Sequence, residues 1–440
     1  MTKSVSRAWS LSLPVVTTLV LAYAWLVAGM ARTITAARVY GGPTENVSAL
    51  SLRIETVTRD GERESPAWPG PIRLRATALG QAPLELEVSR AVSGIAEAKL
   101  ELARGNRGAV AVELHSASGA LLAAGQLALD ATRWAARARR RGGWIRGREF
   151  GALVVSIAPE RGAFVVGSPE PLCIRVERAG SPVTGAKLAV SADGARLGSA
   201  EPLITDERGR ARVSFEAIDL NPTLHAEART EDGLSGLIES GVPVVPGGIY
   251  AHRTGTGIRV ETAVPRSEAY YSLVTERARV SGGVLSLTPN GQGGAFADLE
   301  LASVPAPAWL VVSSEVDQNS VAAIGWPLDS GAEPAQTFDV PEFLLLDGLP
   351  AAFAREQARR SRVRWLTAAF IAGAFALSVA LLVLRVRAAE HDIARHLQEN
   401  LEPEMAERVA PQRGLALLVA LLGIGLGFVL LALLTLARAQ

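Results

Sequence analysis

Three uncharged apolar runs constrain this chain more than any other feature of it. They are Trp9 to Met30, Trp365 to Leu384 and Gly414 to Leu436. About 20 apolar residues carry a helix across a hydrocarbon core, and each run reaches that length. A lone segment in lipid must pair its backbone groups internally, which leaves helix as its state. Lys3 and Arg7 precede the first run, Arg364 and Arg385 bracket the second, and Arg413 and Arg438 bracket the third. The segment 1–32 has two readings. Its charged start and Ala22-Tyr23-Ala24 suit a cleaved signal peptide. The run continues through Trp25, Leu26 and Val27, which favours an uncleaved signal anchor. Both readings export the segment after it. Lys and Arg are nearly balanced between the two sides, so orientation rests on that signal and on the β-rich middle. No Asp, Glu, Lys or Arg lies within any run, which argues against a proton relay or ion path there.

Charge nearly cancels, with 45 Lys+Arg against 44 Asp+Glu. That excludes a globally basic nucleic-acid binder and an acidic disordered chain. The single cysteine, Cys173, excludes an intrachain disulfide framework and a cysteine-built zinc site.

From residue 33 to about 330 the sequence alternates apolar and polar residues in short runs. Ser51 to Val57, Ile72 to Ala76 and Leu84 to Val88 are examples. Such alternation puts one face in a core and one in water. Turn residues recur about every 8–12 positions, which favours β-sandwiches over a parallel α/β sheet. Three modules are expected: 33–130, 149–246 and 247–330. An arginine-rich linker, 131–148, separates the first two, and 331–364 is expected as a linker with a juxtamembrane helix from Pro350 to Arg364. Segments 365–384 and 414–436 are the second and third membrane helices, and 385–413 is the loop between them.

The second module carries the clearest pattern. Gly180-Ser181-Pro182-Val183-Thr184-Gly185-Ala186-Lys187-Leu188 reads as a turn feeding a strand, and Ile204 to Phe215 reads as a hairpin turning at Asp206 to Gly209. This arrangement over 160–230 resembles bacterial immunoglobulin-like domains and the macroglobulin-type β-sandwiches of the α-2-macroglobulin family. The family's thioester motif, Gly-Cys-Gly-Glu-Gln, is missing, since Cys173 sits in Pro-Leu-Cys-Ile-Arg. The resemblance therefore implies a fold module and not thioester trapping.

Chemistry is sparse. The histidines His115, His225, His252, His391 and His396 form no HExxH or His-x-His pair. His391 and His396 would stand about 140° apart on a helix, which is poor for shared metal ligation. No G-x-S-x-G elbow occurs, and lysine is limited to Lys3, Lys99 and Lys187. Asn290 to Gly294 reads as a hairpin turn and not a phosphate cradle. Glu315, Asp317 and Asn319 alternate but complete no calcium loop. No enzyme activity, cofactor or metal is expected.

The linker stands out. Arg133, Arg137, Arg139, Arg140, Arg141, Arg146 and Arg148 fall in a stretch that holds no acid, interleaved with Trp134 and Trp144. Arginine forks pair phosphate and tryptophan suits an interface, so an anionic lipid or wall polymer is a candidate ligand. A solvated linker is the plain alternative. Nucleic acid is not expected on the exported side.

The second membrane helix carries Ala368, Ala372, Ala376 and Ala380 on one face, and the third carries Gly423 and Gly427 as a GxxxG. Small stripes let helices approach closely, either each other or a partner. In the loop, Ile393, Leu397 and Leu401 form a short apolar stripe opposite acids, a candidate face for a cytoplasmic partner. The expectation is thus a mainly β protein of tandem Ig-like or macroglobulin-like sandwiches, outside an inner membrane and anchored by three transmembrane helices. Its expected role is a non-enzymatic scaffold that contacts an envelope protein or polymer. An accessory or sensor subunit of a membrane complex is the alternative.

Overall fold

The computed structural model of the protein describes residues 33–46, 49–78, 80–89, 92–102, 109–128, 139–141, 143–146, 150–198, 203–255, 257–301, 306–318, 322–329, 337–339 and 344–400, with Val20, Tyr23, Pro334, Gly423 and Gly427 as single positions. The chain divides into two units. One is Thr35–Thr58 with Glu64–Leu349, and the other is Met1–Ile34, Arg59–Arg63 and Pro350–Gln440.

Period-two alternation builds the first of these. In Ile72–Ala78 every second residue is buried, and Ala109–Ser116 follows nearly the same rule. These two strands pair, with Leu84–Val88 and Leu121–Ala128 on either side, as a 4-stranded sheet. A 5-stranded sheet completes this first sandwich. It runs Arg63–Pro66, Ala49–Asp60, Ile34–Pro43, Leu344–Asp347, with Ile95–Glu101 also pairing Ala49–Asp60. Leu346 joins Leu52, Ile54, Leu74 and Leu114 in the first core. The sandwich expected over 33–130 therefore takes an edge strand from the 331–364 segment. Leu344-Leu345-Leu346 is too short a run to announce a strand, and its partner, Ile34–Pro43, opens the same β region.

The second sandwich stacks a 6-stranded and a 5-stranded sheet over Leu172, Ile174, Phe215, Leu224 and Ile238. The turns expected at Pro182 and Asp206 lock each other. Thr205 Oγ1 accepts from Ala186 N at 2.9 Å and donates to Val183 O at 2.7 Å. Asp206 Oδ1 accepts from Arg208 N and Arg210 N, each at 2.9 Å. The third sandwich pairs two 4-stranded sheets over Ile249, Leu310, Val312 and Trp326. The turn at Asn290 forms as expected, its Oδ1 accepting from Gln292 N and Gly294 N.

A parallel two-stranded ribbon, Phe164–Val165 with Val244–Val245, joins the second and third sandwiches. Alternation splits it: Phe164 and Val244 pack into the second core, Val165 and Val245 into the third. Tyr40 of the first sandwich packs with Val274, Trp309 and Val311 of the third. A second ribbon pairs the two expected linkers, Arg139–Arg141 with Thr337–Asp339.

The 52-residue helix α1, Leu349–Asn400, is continuous, and from Pro350 on it belongs to the other unit. Asp347 caps it, its Oδ1 accepting from Leu349 N at 2.9 Å. Glu356 pairs with Arg359 at 2.7 Å and Arg360 at 3.1 Å on the first turns. The stretch Leu349–Asp392 contains an 18-residue window of mean hydropathy 2.4, long and apolar enough to cross a membrane. It is the one such helix among the described residues. The loop expected from Arg385 continues α1 to Asn400. No Gly or Pro interrupts Arg385 to Glu402, and Ala388, Ala389, Leu397 and Gln398 favour helix. The runs 9–30 and 414–436 lie outside the described residues except for Val20, Tyr23, Gly423 and Gly427, each helical.

Candidate functional site

The large sheet of the second sandwich gathers the end of the arginine-rich segment. Ile145–Arg146 is its edge strand, with Ile145 packed on the second core. Register then places four residues in one row: Arg146 opposite Ser156, Ser156 opposite Arg175, and Arg175 opposite Arg210. Partners across a sheet share a face, and here it is the face away from Val155, Ile157, Ile174 and Val176. Cys173 and Arg212 form the next pair on that face.

Trp144 lies over this row. The Arg175 guanidinium stands 4.5 Å from its ring centre and that of Arg210 stands 5.9 Å away. A guanidinium stacked on an aromatic face keeps its in-plane N–H groups for oxygen ligands. Three acids share the face: Glu177 lies 3.4 Å from Arg175, Glu160 lies 3.1 Å from Arg212, and Glu216 lies 3.6 Å from Arg196. Five arginines against three acids leave it basic. Ser156 is fully buried beneath, and its hydroxyl has no hydrogen-bond partner among the described residues. Burial, with Glu160 adding to it, pushes the Cys173 thiol up to about 11, so this buried cysteine is unreactive at neutral pH.

Of the residues expected to make anionic contacts, Trp144 and Arg146 reach this face. Arg139, Arg140 and Arg141 form the ribbon strand with Thr337–Asp339, and Arg133, Trp134, Arg137 and Arg148 lie outside the described residues. Sequence reading does not anticipate Arg175, Arg210 and Arg212 as neighbours of Trp144. Their signal is present, since each holds an outward position in an alternating strand.

Two further clusters join sandwiches. Glu97 accepts from Arg53 Nε at 2.8 Å and from Arg279 Nη1 and Nη2 at 2.8 Å each. Arg53 and Glu97 belong to the first sandwich and Arg279 to the third, and both guanidiniums are 2% exposed. Burial pushes the Glu97 carboxyl up, but the charges of Arg279 and Arg53 outweigh it and hold the group below the ordinary carboxylate range. Elsewhere, Arg161 Nη2 donates to Glu170 at 2.5 Å, and its Nη1 donates to Ala251 O at 2.5 Å. Its guanidinium also stands 4.7 Å from the Tyr250 ring and 5.0 Å from the Trp326 ring. Burial raises the Glu170 carboxyl despite Arg161 and Tyr250 donating to it. Sequence reading misses both clusters because their members come from different sandwiches, far apart along the chain.

On α1, Ala368, Ala372, Ala376 and Ala380 are helical at a spacing of four, and the last three are exposed. Gly423 and Gly427 are also exposed. Ile393 and Leu397 lie on α1, while Leu401 is outside the described residues. Among the described residues no group of three His, Cys, Asp or Glu could hold a metal ion.

No protein-family model matches the chain, and no curated protein does. Among solved structures it is similar to a tetra-tandem repeat from the extending region of a large adhesion protein, at 12% identity over 71% of this chain and 76% of that one, TM-score 0.18. An Escherichia coli adhesin matches at 13% identity over 70% of this chain and 98% of its own, TM-score 0.18. Escherichia coli alpha-2-macroglobulin matches at 9% identity over 63% of this chain and 42% of its own, TM-score 0.23. At these scores the matches carry no weight for function.

Proposed function

We propose that the chain is a non-enzymatic, membrane-anchored scaffold or binding protein presenting three docked β-sandwiches outside the inner membrane of a bacterial-type envelope. The observation that carries this reading is the antiparallel pairing of Ile34–Pro43 with Leu344–Asp347. The first of these strands comes directly after the apolar run 9–30. The second comes shortly before the run 365–384. The β unit is thus a loop closed between two anchors, a form suited to presenting surfaces. The runs 9–30, 365–384 and 414–436 serve as its membrane helices, and the small stripes at Ala368 to Ala380 and Gly423 to Gly427 pack them. The second sandwich is of the bacterial Ig-like or macroglobulin type. The basic face around Trp144, Arg146 and Arg175 contacts an envelope protein, an anionic lipid or a wall polymer.

One observation favours a second reading, a sensor subunit of a membrane complex. Only Gly348 separates the last strand from α1, which then runs unbroken to Asn400. Capture of the full-length protein from its native membrane after crosslinking separates the two. A stoichiometric membrane partner would establish the subunit reading. Recovery alone, or with envelope polymer or lipid only, would leave the scaffold.

A further inference from the structure

We propose that the cleft between the first and third sandwiches binds one small monovalent anion of chloride size. This goes beyond the scaffold reading and does not rest on it. The cleft is lined by Tyr40, Arg53, Ser272, Arg279, Val316 and Gln318 and holds about 200 Å³ of empty space, its open mouth included. Two guanidinium charges meet there, and among the described residues a single carboxylate, Glu97, pairs with both. One positive charge is left over in a place where Arg53 and Arg279 are each 2% exposed and Gln318 is 4% exposed. Buried charge is costly unless paired.

The donors tell the same story. A guanidinium carries five N–H groups. Arg53 donates through Nε to Glu97 and through Nη2 to the carbonyls of Tyr271 and Gly283. Among the described residues its Nη1 finds no acceptor. Arg279 donates through Nε to Ser272 and through Nη1 to Ser51 and Glu97, and its Nη2 has one bond, to Glu97. The nearby acids are engaged or exposed. Glu55 accepts from Tyr40 at 3.2 Å and lies 3.8 Å from Arg38, and Asp317 is exposed. Gly282 lets both guanidiniums in, because a Cβ there would meet Arg279 Nη2 and lie 2.7 Å from Tyr271 O. A halide supplies the missing charge without hydrogen-bonding demands of its own. Phosphate or sulfate would bring more charge than the cleft lacks.

The test uses the full-length protein in detergent. Its thermal midpoint is compared in sodium chloride and sodium gluconate at equal ionic strength. The expected result is a midpoint higher by about 2–4 °C in chloride, a difference that Arg53→Met abolishes. Crystals soaked in bromide supply a readout that needs no variant. An anomalous peak within hydrogen-bond reach of Arg53 Nη1 is expected. Equal midpoints in the two salts, or a cleft holding only water in the bromide map, would overturn the proposal, and the map decides if the two disagree.

Discussion

Glu97→Gln tests the joint between the first and third sandwiches most directly. The substitution keeps the side chain's shape and removes its charge. Glu97 accepts three bonds from Arg53 and Arg279, which are both buried. Each charge-assisted bond is worth about 1.5–3 kcal/mol, but such values do not add within one network. The better guide is the cost of stranding a buried charge, about 3–5 kcal/mol. The Glu97 side chain is 26% exposed, so water screens part of its charge and the lower end applies. We expect a loss of about 3 kcal/mol, a large share of a stability of about 5–15 kcal/mol. Urea unfolding of the full-length protein, followed by tryptophan fluorescence, measures it. With a slope of about 3 kcal/mol/M the midpoint falls by about 1 M. Arg279→Met in the same background should cost less than it does alone, with a coupling of at least about 1 kcal/mol. The pH dependence has a fixed sign. A carboxyl held below its unfolded value adds stability above that unfolded value, and the gain disappears as pH falls through the folded value. Wild-type protein should therefore lose this joint in acid, and Glu97→Gln should flatten that part of the profile. A midpoint shift under about 0.2 M, or additive variants, would refute a shared buried network.

Other sites give further outcomes. Cys173, 3% exposed and with its thiol pushed up to about 11, should resist iodoacetamide at neutral pH in the native protein and react at once in denaturant. Trp144→Ala removes the platform against Arg175 and should cost about 1–2 kcal/mol, read by denaturation, while weakening retention on a phosphate-bearing matrix. At Gly348 a Cβ would meet Leu122 O and lie 2.8 Å from Ala37 O, so Gly348→Val should loosen the last strand and speed protease cleavage just before α1. A fragment of residues 33–130 alone leaves Ile34–Pro43 as an open edge. It should associate in light scattering, and adding a peptide spanning 340–348 should suppress this. The fragment remaining monomeric would count against a structural role for that strand.

What the sequence makes legible is local. Ile72–Ala78 announces itself because its period matches a half-buried strand, and Asp206 and Asn290 announce turns because their side chains bond backbone two and four residues on. The links between sandwiches are not legible. Arg53 sits in Ser51 to Val57, where it reads as the polar half of an alternation, yet it is 2% exposed. Its outward face becomes an interior only because Arg279 and Tyr271, from a different sandwich, cover it. The arginine-rich segment misleads in a related way. Its composition suggests a solvated linker or an anion ribbon, but Trp144 and Ile145 belong to the second sandwich. A composition rule sees a run of arginines and cannot see the register that puts Arg175 and Arg210 beside them.

Register also explains why the chain's order and its spatial order differ. The first strand waits for a partner that comes only after all three sandwiches, at Leu344–Asp347. Closing so long a loop costs only slightly more than closing one half its length, since the penalty grows with the logarithm of length. The second and third sandwiches fold within that loop and shorten it in effect. Their cores draw only on residues inside that loop, Ile145 to Leu328, whereas the first sandwich needs Leu346 to finish its own. The triad of Arg53, Glu97 and Arg279 then holds the third sandwich against the first, which brings the last strand back toward its partner. The polar joint that is weak as a source of net stability is thus well placed to specify which surfaces meet. That division of labour, apolar cores for stability and a buried ionic cluster for register, fits a β unit whose first and last strands pair in the same sandwich.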